Sequence, residues 1–169
     1  MSGSVNKGII VAGMHSSSGK TAVTSLVLAA MHKRGLSIQP FKIGPDYIDP
    51  GFHAVASGRP CHNIDVWAMR EETLGRVLSN LARDTKLVLC EGVMGLFDGA
   101  RVASGQSSGS TADVARVTGW PVILVIDASA QAASAAAASS VARVRSDVEN
   151  VIRAVRARTR ARRRSPPTA

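Results

Sequence analysis

An unbroken apolar run at residues 8–12 (GIIVA) passes directly into the small-residue segment GMHSSSGKT at residues 13–21, and a helical pattern follows to about residue 33. A buried strand that turns through glycine and serine into a helix restricts the chain to α/β architectures and gives the turn a specific chemistry. Small side chains let backbone N–H groups gather around phosphate oxygens, and the helix N-terminus adds its positive dipole end. Gly13, His15, Ser16, Ser17, Ser18, Gly19, Lys20 and Thr21 are therefore read as binding the phosphates of a nucleoside triphosphate, with Lys20 as a mobile point charge and Thr21 placed to ligate Mg2+ through its hydroxyl. Five residues separate Gly13 from Gly19, one more than in the commonest phosphate loop, and Ser17 stands where such loops often carry another glycine. His15 is given no role in proton transfer.

The remaining chain continues the alternation. Apolar strands are expected at residues 38–43, 87–90 and 122–126, and helices at 71–82, where Leu74, Val77, Leu78 and Leu81 recur at helical spacing, and at 111–118. The breaker-rich stretch GPDYIDPGFH at residues 44–53 reads as a loop, as do residues 92–110. Strands apolar on both faces and alternating with helices imply an α/β fold of the P-loop NTPase-like kind, a mostly parallel sheet with helices on both faces. Residues 1–140 are expected to form this domain, incomplete at its C-terminal side. In residues 141–169, Val141, Val144, Val148, Val151 and Val155 keep helical spacing, so a helix is expected to about Arg158 and disorder beyond it.

Charge narrows the partners. The chain has 169 residues and a net charge of +9, which would suggest nucleic acid if it were spread over the domain. It is not spread: residues 1–140 carry 12 Lys or Arg against 10 Asp or Glu, whereas residues 141–169 carry 9 against 2. No apolar run reaches the roughly 18 residues of a membrane span and the N-terminus lacks a secretory pattern, so the expectation is a cytoplasmic protein with no membrane partner. Cys61 and Cys90 stand far apart without the spacing of a disulfide framework or a zinc site, and are read as ordinary thiols.

A phosphoryl-transfer site needs an acidic group at the end of a second strand to share the magnesium. Glu91 ends the strand LVLC and opens the loop EGVMGLFDG, so it faces the same sheet edge as the phosphate loop, and Asp46, just past the second strand, is the other candidate. Capping or turn chemistry is the alternative for both. Asp49, Asp65, Asp98 and Asp127 are weaker candidates, because aspartate beside glycine or proline is usually a turn residue. Lys42 ends the second strand, where it either reaches a transferring phosphoryl group or is simply solvated. Ser110 and Thr111 open a helix, with Ser110 as its N-cap, and the same groups could hold a substrate carboxylate.

Four segments in order, GMHSSSGKT, FKIGPDYIDPGFH, EGVMGLFDG and GSTADVA, with NIDVWAM between the second and third, resemble the N-terminal domain of the cobyrinic acid or hydrogenobyrinic acid a,c-diamide synthases over about residues 9–129. The longer phosphate loop is similar to that of dethiobiotin synthetase and the cobyrinate amidases. The resemblance implies ATP-dependent amidation of the a and c carboxylates of a corrin precursor in cobalamin biosynthesis, each carboxylate being phosphorylated before ammonia displaces phosphate. It implies Thr21, Asp46 and Glu91 as Mg2+ ligands, with Lys20, Lys42, Asp46 and Glu91 as the catalytic set. Tyr47, Asp49, His53, Gly109, Ser110 and Thr111 would lie toward the corrinoid.

The chain departs from that family after the first domain. The glutaminase domain that would supply ammonia is not present, and neither Cys61 nor Cys90 has the surroundings of its nucleophile. The arginine-rich tail is what an altered reading frame or early stop would give, so the expectation is a fragment that binds MgATP weakly at most and cannot use glutamine; a homodimer is left open. Two other readings remain. One is a partitioning ATPase with the tail on DNA, although such proteins carry a further lysine early in the phosphate loop. The other is a non-catalytic module whose tail contacts nucleic acid, which salt would dissociate.

Overall fold

A computed structural model describes residues 8–81, 83–103, 106–129, 134 and 153–157 of the chain. The elements alternate as β1 (Gly8–Gly13), α1 (Lys20–Lys33), β2 (Ile38–Ile43), α2 (Asp49–Ser57), β3 (His62–Ile64), α3 (Glu71–Leu81), β4 (Leu87–Glu91), α4 (Thr111–Thr118), β5 (Val122–Asp127) and β6 (Arg153–Ala157). The strands form one sheet in the order β3-β2-β4-β1-β5-β6, and every pairing is parallel.

Successive side chains of a strand point to opposite faces, and here both faces are covered. On one face, Ile10, Ala12, Phe41, Ile43, Val88, Cys90, Val122 and Leu124 form a buried cluster with Leu74, Val77 and Leu78 of α3 and Val114 and Ala115 of α4. On the other, Val11, Ile38, Leu89 and Val125 pack with Val23, Val27, Leu28 and Met31 of α1 and Ala56 of α2. The expected α/β sheet with helices on both faces is the observed one. No helix among the described residues is long and apolar enough to cross a membrane.

Two expectations are corrected. The stretch read as a loop at residues 44–53 turns into α2 at Asp49. Its breakers stand where a helix tolerates them: Pro50 lies in the first turn, whose N–H groups have no helical partner, and Gly58 ends the helix with φ 67°. The Asp46 carboxylate accepts the N–H groups of Ile48 (2.9 Å) and Asp49 (3.0 Å), satisfying donors at that start. In the tail, residues 153–157 form strand β6, which pairs with β5 from Ile123↔Arg153 to Asp127↔Ala157, where the valine spacing had implied helix. A spacing of three and four residues cannot show that a sheet edge lies within reach, and an open edge offers backbone partners to any short segment beside it. Residues 141–152 and 158–169 of the expected helix and disordered end lie outside the described residues.

Candidate functional site

The register of the parallel strands decides which residues meet. Glu91 at the end of β4 is opposite Val11 of β1 on one side and Lys42 of β2 on the other. The segments leaving β1, β2 and β4 therefore emerge at one carboxyl edge, where ligands of open parallel sheets bind.

The loop leaving β1 is shaped by two close approaches and two left-handed residues. A Cβ on Gly13 would lie 2.1 Å from the Ser18 hydroxyl oxygen and 3.0 Å from the Lys20 side chain, so the turn closes only over glycine. A Cβ on Gly95 would meet the Met14 carbonyl oxygen at 2.8 Å, which shows how tightly the loop after β4 is laid against this turn. Ser17 has φ 62° and Gly19 φ 89°. Ser17 thus takes the backbone conformation that glycine supplies in similar loops, with a short polar side chain in its place. His15, Ser16 and Ser17 are exposed at the crest, whereas Ser18 and Lys20 are buried below it. The Ser18 hydroxyl is buried and has no hydrogen-bond partner. Lys20 Nζ donates to the His15 carbonyl at 3.0 Å. Burial lowers the pKa of Lys20 from the ordinary lysine value, with the Glu91 carboxylate acting in the opposite sense.

Thr21, in the first turn of α1, is the centre of the polar cluster. Its hydroxyl lies 2.7 Å from Glu91 Oε1 and 3.2 Å from Asp49 Oδ2. Glu91 is 1% exposed, and its other oxygen accepts a hydrogen bond from His53 Nε2. Lys42 is not the solvated lysine that its type alone allows. It is 3% exposed, donates to the Gly92 carbonyl at 3.2 Å, and stands 3.4 Å from Asp46 and 3.9 Å from Asp49.

The two aspartates of the turn before α2 occupy different environments. Burial raises the Asp46 carboxyl, but the N–H groups of Ile48 and Asp49 together with Lys42 outweigh it and hold the group below the ordinary range. Asp49 is held above that range, first by burial and then by the negative charges of Glu91 and Asp46. Asp46 is thus occupied with the start of α2 and with Lys42, while Asp49, which its sequence context ranked lower, reaches the Thr21–Glu91 pair.

Other expected site residues are distributed less uniformly. Tyr47 is 92% exposed, but His53, expected to face a substrate, is fully buried against Glu91. Ser110 caps α4, its hydroxyl accepting the Asp113 N–H at 3.2 Å. Thr111 is buried, with its hydroxyl between the N–H and the carbonyl of Val93. Gly109 takes φ 72° beside Trp67 and Asp65. Asp98 accepts the Gly95 N–H at 2.8 Å, and Asp65 accepts those of Trp67 and Ala68, so both serve turns. Asp127 accepts the Ser129 N–H, and this bond lowers its pKa. Cys90 is buried in the core and Cys61 is pushed up to about 12 by burial, as inert thiols should be.

Among the described residues no group of three or more His, Cys, Asp or Glu side chains forms a metal cage. A magnesium ion carried by phosphates does not require one, because it keeps several waters and takes one or two carboxylates alongside the phosphate oxygens. The hydroxyl of Thr21 with Glu91 and Asp49 suits that chemistry. The Gly13 turn, with its buried unpartnered hydroxyl and buried ammonium, suits the phosphates.

The sequence is 49% identical over 131 residues to a hydrogenobyrinate a,c-diamide synthase of Rhodobacter capsulatus, covering 78% of this chain and 30% of that protein. It is 44% identical over 129 residues to a cobyrinate a,c-diamide synthase of Dehalococcoides mccartyi, covering 76% and 27% respectively. A cobyrinate a,c-diamide synthase of Thermoplasma acidophilum is 45% identical over 129 residues, 76% of this chain and 28% of its own length. The chain thus spans less than a third of the length of these relatives. No protein-family model matches it. A solved structure of a DUF1611-family protein from Anabaena variabilis is similar with a TM-score of 0.43 at 17% identity, over 71% of this chain and 32% of that one, too distant to bear on the reading.

Proposed function

Because the chain belongs to the cobyrinate and hydrogenobyrinate a,c-diamide synthase family, as a match to its N-terminal portion, we propose that it is the MgATP-binding part of an amidoligase acting on the a and c carboxylates of a corrin precursor. The fold reading that goes with it is a P-loop, dethiobiotin synthetase-like domain. The observation that carries the proposal is the meeting of Thr21 and Glu91 at 2.7 Å, which joins the helix after the glycine turn to the strand-end carboxylate of β4, the neighbour of β1 in the sheet.

In this reading the backbone of residues 13–19 and the Lys20 ammonium hold the phosphates, and Thr21 and Glu91 hold the magnesium with Asp49 beside them. Asp46 shapes the start of α2 and fixes Lys42. Bound there, MgATP would supply the phosphoryl group that activates a carboxylate before ammonia displaces phosphate. Lys42, buried between Asp46, Asp49 and the Gly92 carbonyl, is placed to balance negative charge arriving at this edge. The exposed Tyr47 and the turn at Gly109, Ser110 and Thr111 would flank the corrinoid. Amidation would require a supply of ammonia, whereas a basic tail contacting nucleic acid is not required.

A titration with a labelled ATP analogue tests this. Binding by the wild-type chain should depend on Mg2+, and Lys20→Ala should weaken it about tenfold or more, as loss of a charged hydrogen-bond donor to phosphate does. Equal affinity in the variant would contradict the site. Binding that is insensitive to magnesium but abolished by salt would instead favour an electrostatic tail contact.

A further inference from the structure

Two side-chain ladders face each other across the packing of α1 on α2. Thr21 and Ser25 are one helical turn apart on α1, and Asp49 and His53 are one turn apart on α2, so each pair lines one stripe of its helix. The ladders meet in register: Thr21 Oγ1 lies 3.2 Å from Asp49 Oδ2 and Ser25 Oγ lies 3.2 Å from His53 Nδ1. Glu91 enters from β4 between them, one oxygen on Thr21 and the other on His53 Nε2. His53 is 0% exposed and Glu91 1%, so no open approach remains by which the imidazole could contact a substrate.

We infer that His53 is a positioning residue for the magnesium-binding carboxylate: held by Ser25 at one nitrogen, it fixes the rotamer of Glu91 with the other. This rests on the phosphate-and-magnesium reading above and deepens it. An ionised carboxylate only accepts hydrogen bonds, so Nε2 carries the hydrogen toward Glu91, while Nδ1 pairs with the Ser25 hydroxyl at 3.2 Å. An imidazole satisfied at both nitrogens can lie in the core without an orphaned polar atom. Fixing one carboxylate oxygen leaves the other, on Thr21, at the orientation the cation needs. Partners of metal ligands act in this way, and their loss typically weakens metal binding by about 10–100-fold.

The test uses Mn2+ in place of Mg2+ with a non-hydrolysable ATP analogue, reading free Mn2+ by electron paramagnetic resonance. His53→Leu should weaken Mn2+ retention by about tenfold or more while leaving metal-free analogue affinity within about threefold. His53→Gln, whose amide N–H reaches toward the same oxygen, should restore most of the loss, and Ser25→Ala should fall between. Wild-type Mn2+ affinity in His53→Leu overturns the inference, as does a His53→Gln variant as weak as His53→Leu, since packing would then explain the effect. If His53→Leu does not fold, Ser25→Ala decides: weakened Mn2+ binding supports the inference and unchanged binding overturns it. A wild-type chain that retains no Mn2+ beside the analogue overturns this inference together with the phosphate reading, whereas tight wild-type binding with indifferent His53 variants overturns this inference alone.

Discussion

Asp46 and Asp49 are three residues apart, and their surroundings act on them in opposite directions. Asp46 accepts two backbone N–H groups and an ammonium, while Asp49 is half-buried beside two other carboxylates. A carboxyl whose folded pKa is raised is protonated more readily in the folded chain than in the unfolded one. Its contribution therefore makes stability fall as pH rises from the ordinary aspartate value through the raised one, and the loss persists above it. Without magnesium, Asp49→Asn should stabilise the chain at pH 7 by about 0.5 kcal/mol or more and flatten that part of the pH profile, as followed by thermal unfolding between pH 4 and 7. A lower midpoint at pH 7 would show that Lys42 and Thr21 outweigh the carboxylate repulsion. At this scale the gathering of the Gly13 turn, Lys42 and Glu91 at one sheet edge was legible in the sequence, because it follows from their place at strand ends. It ranked Asp46 above Asp49, whereas Asp49 is the one that reaches Thr21, and it did not show that His53 turns inward, because both depend on where a helix starts.

That helix is the main element the sequence obscured. Proline and glycine in DPGFH lower the expectation of a helix anywhere, yet in a first turn proline costs no hydrogen bond. Strand β3 has three residues, too few for any period to register, and β6 is set by a neighbouring edge rather than by its own pattern. In contrast α1, α3 and α4 were readable, since α1 runs between the glycine–serine turn and Gly35, α3 carries an apolar stripe and α4 has an explicit start. Ser110 Oγ accepts the Asp113 N–H at 3.2 Å, and the Asp113 carboxylate in turn accepts from Ser108 and Arg116. Ser110→Ala should cost about 1 kcal/mol by loss of the cap, measured as a lower denaturant midpoint with unchanged slope. A loss below a few tenths would mean that Asp113 and Ser108 hold the turn unaided.

At the scale of the whole molecule, the position of β4 between β1 and β2 organises the site. It puts Glu91 between the glycine turn and Lys42, and it brings together residues separated by 70 positions in the chain. An α/β sheet follows from the alternation of apolar runs and helices, but the strand order does not, because periodicity carries no information about which strand is inserted where. We propose that at this edge the hydroxyl of Thr21, gripped by Glu91, is a magnesium post beside a phosphate cradle. Calorimetric titration of an ATP analogue into the wild-type chain and Thr21→Val, with and without Mg2+, measures that directly. Magnesium should tighten binding by the wild type about tenfold or more, and Thr21→Val should lose this gain with metal-free affinity little changed; a variant that keeps the full magnesium-dependent gain would rule out that role for Thr21.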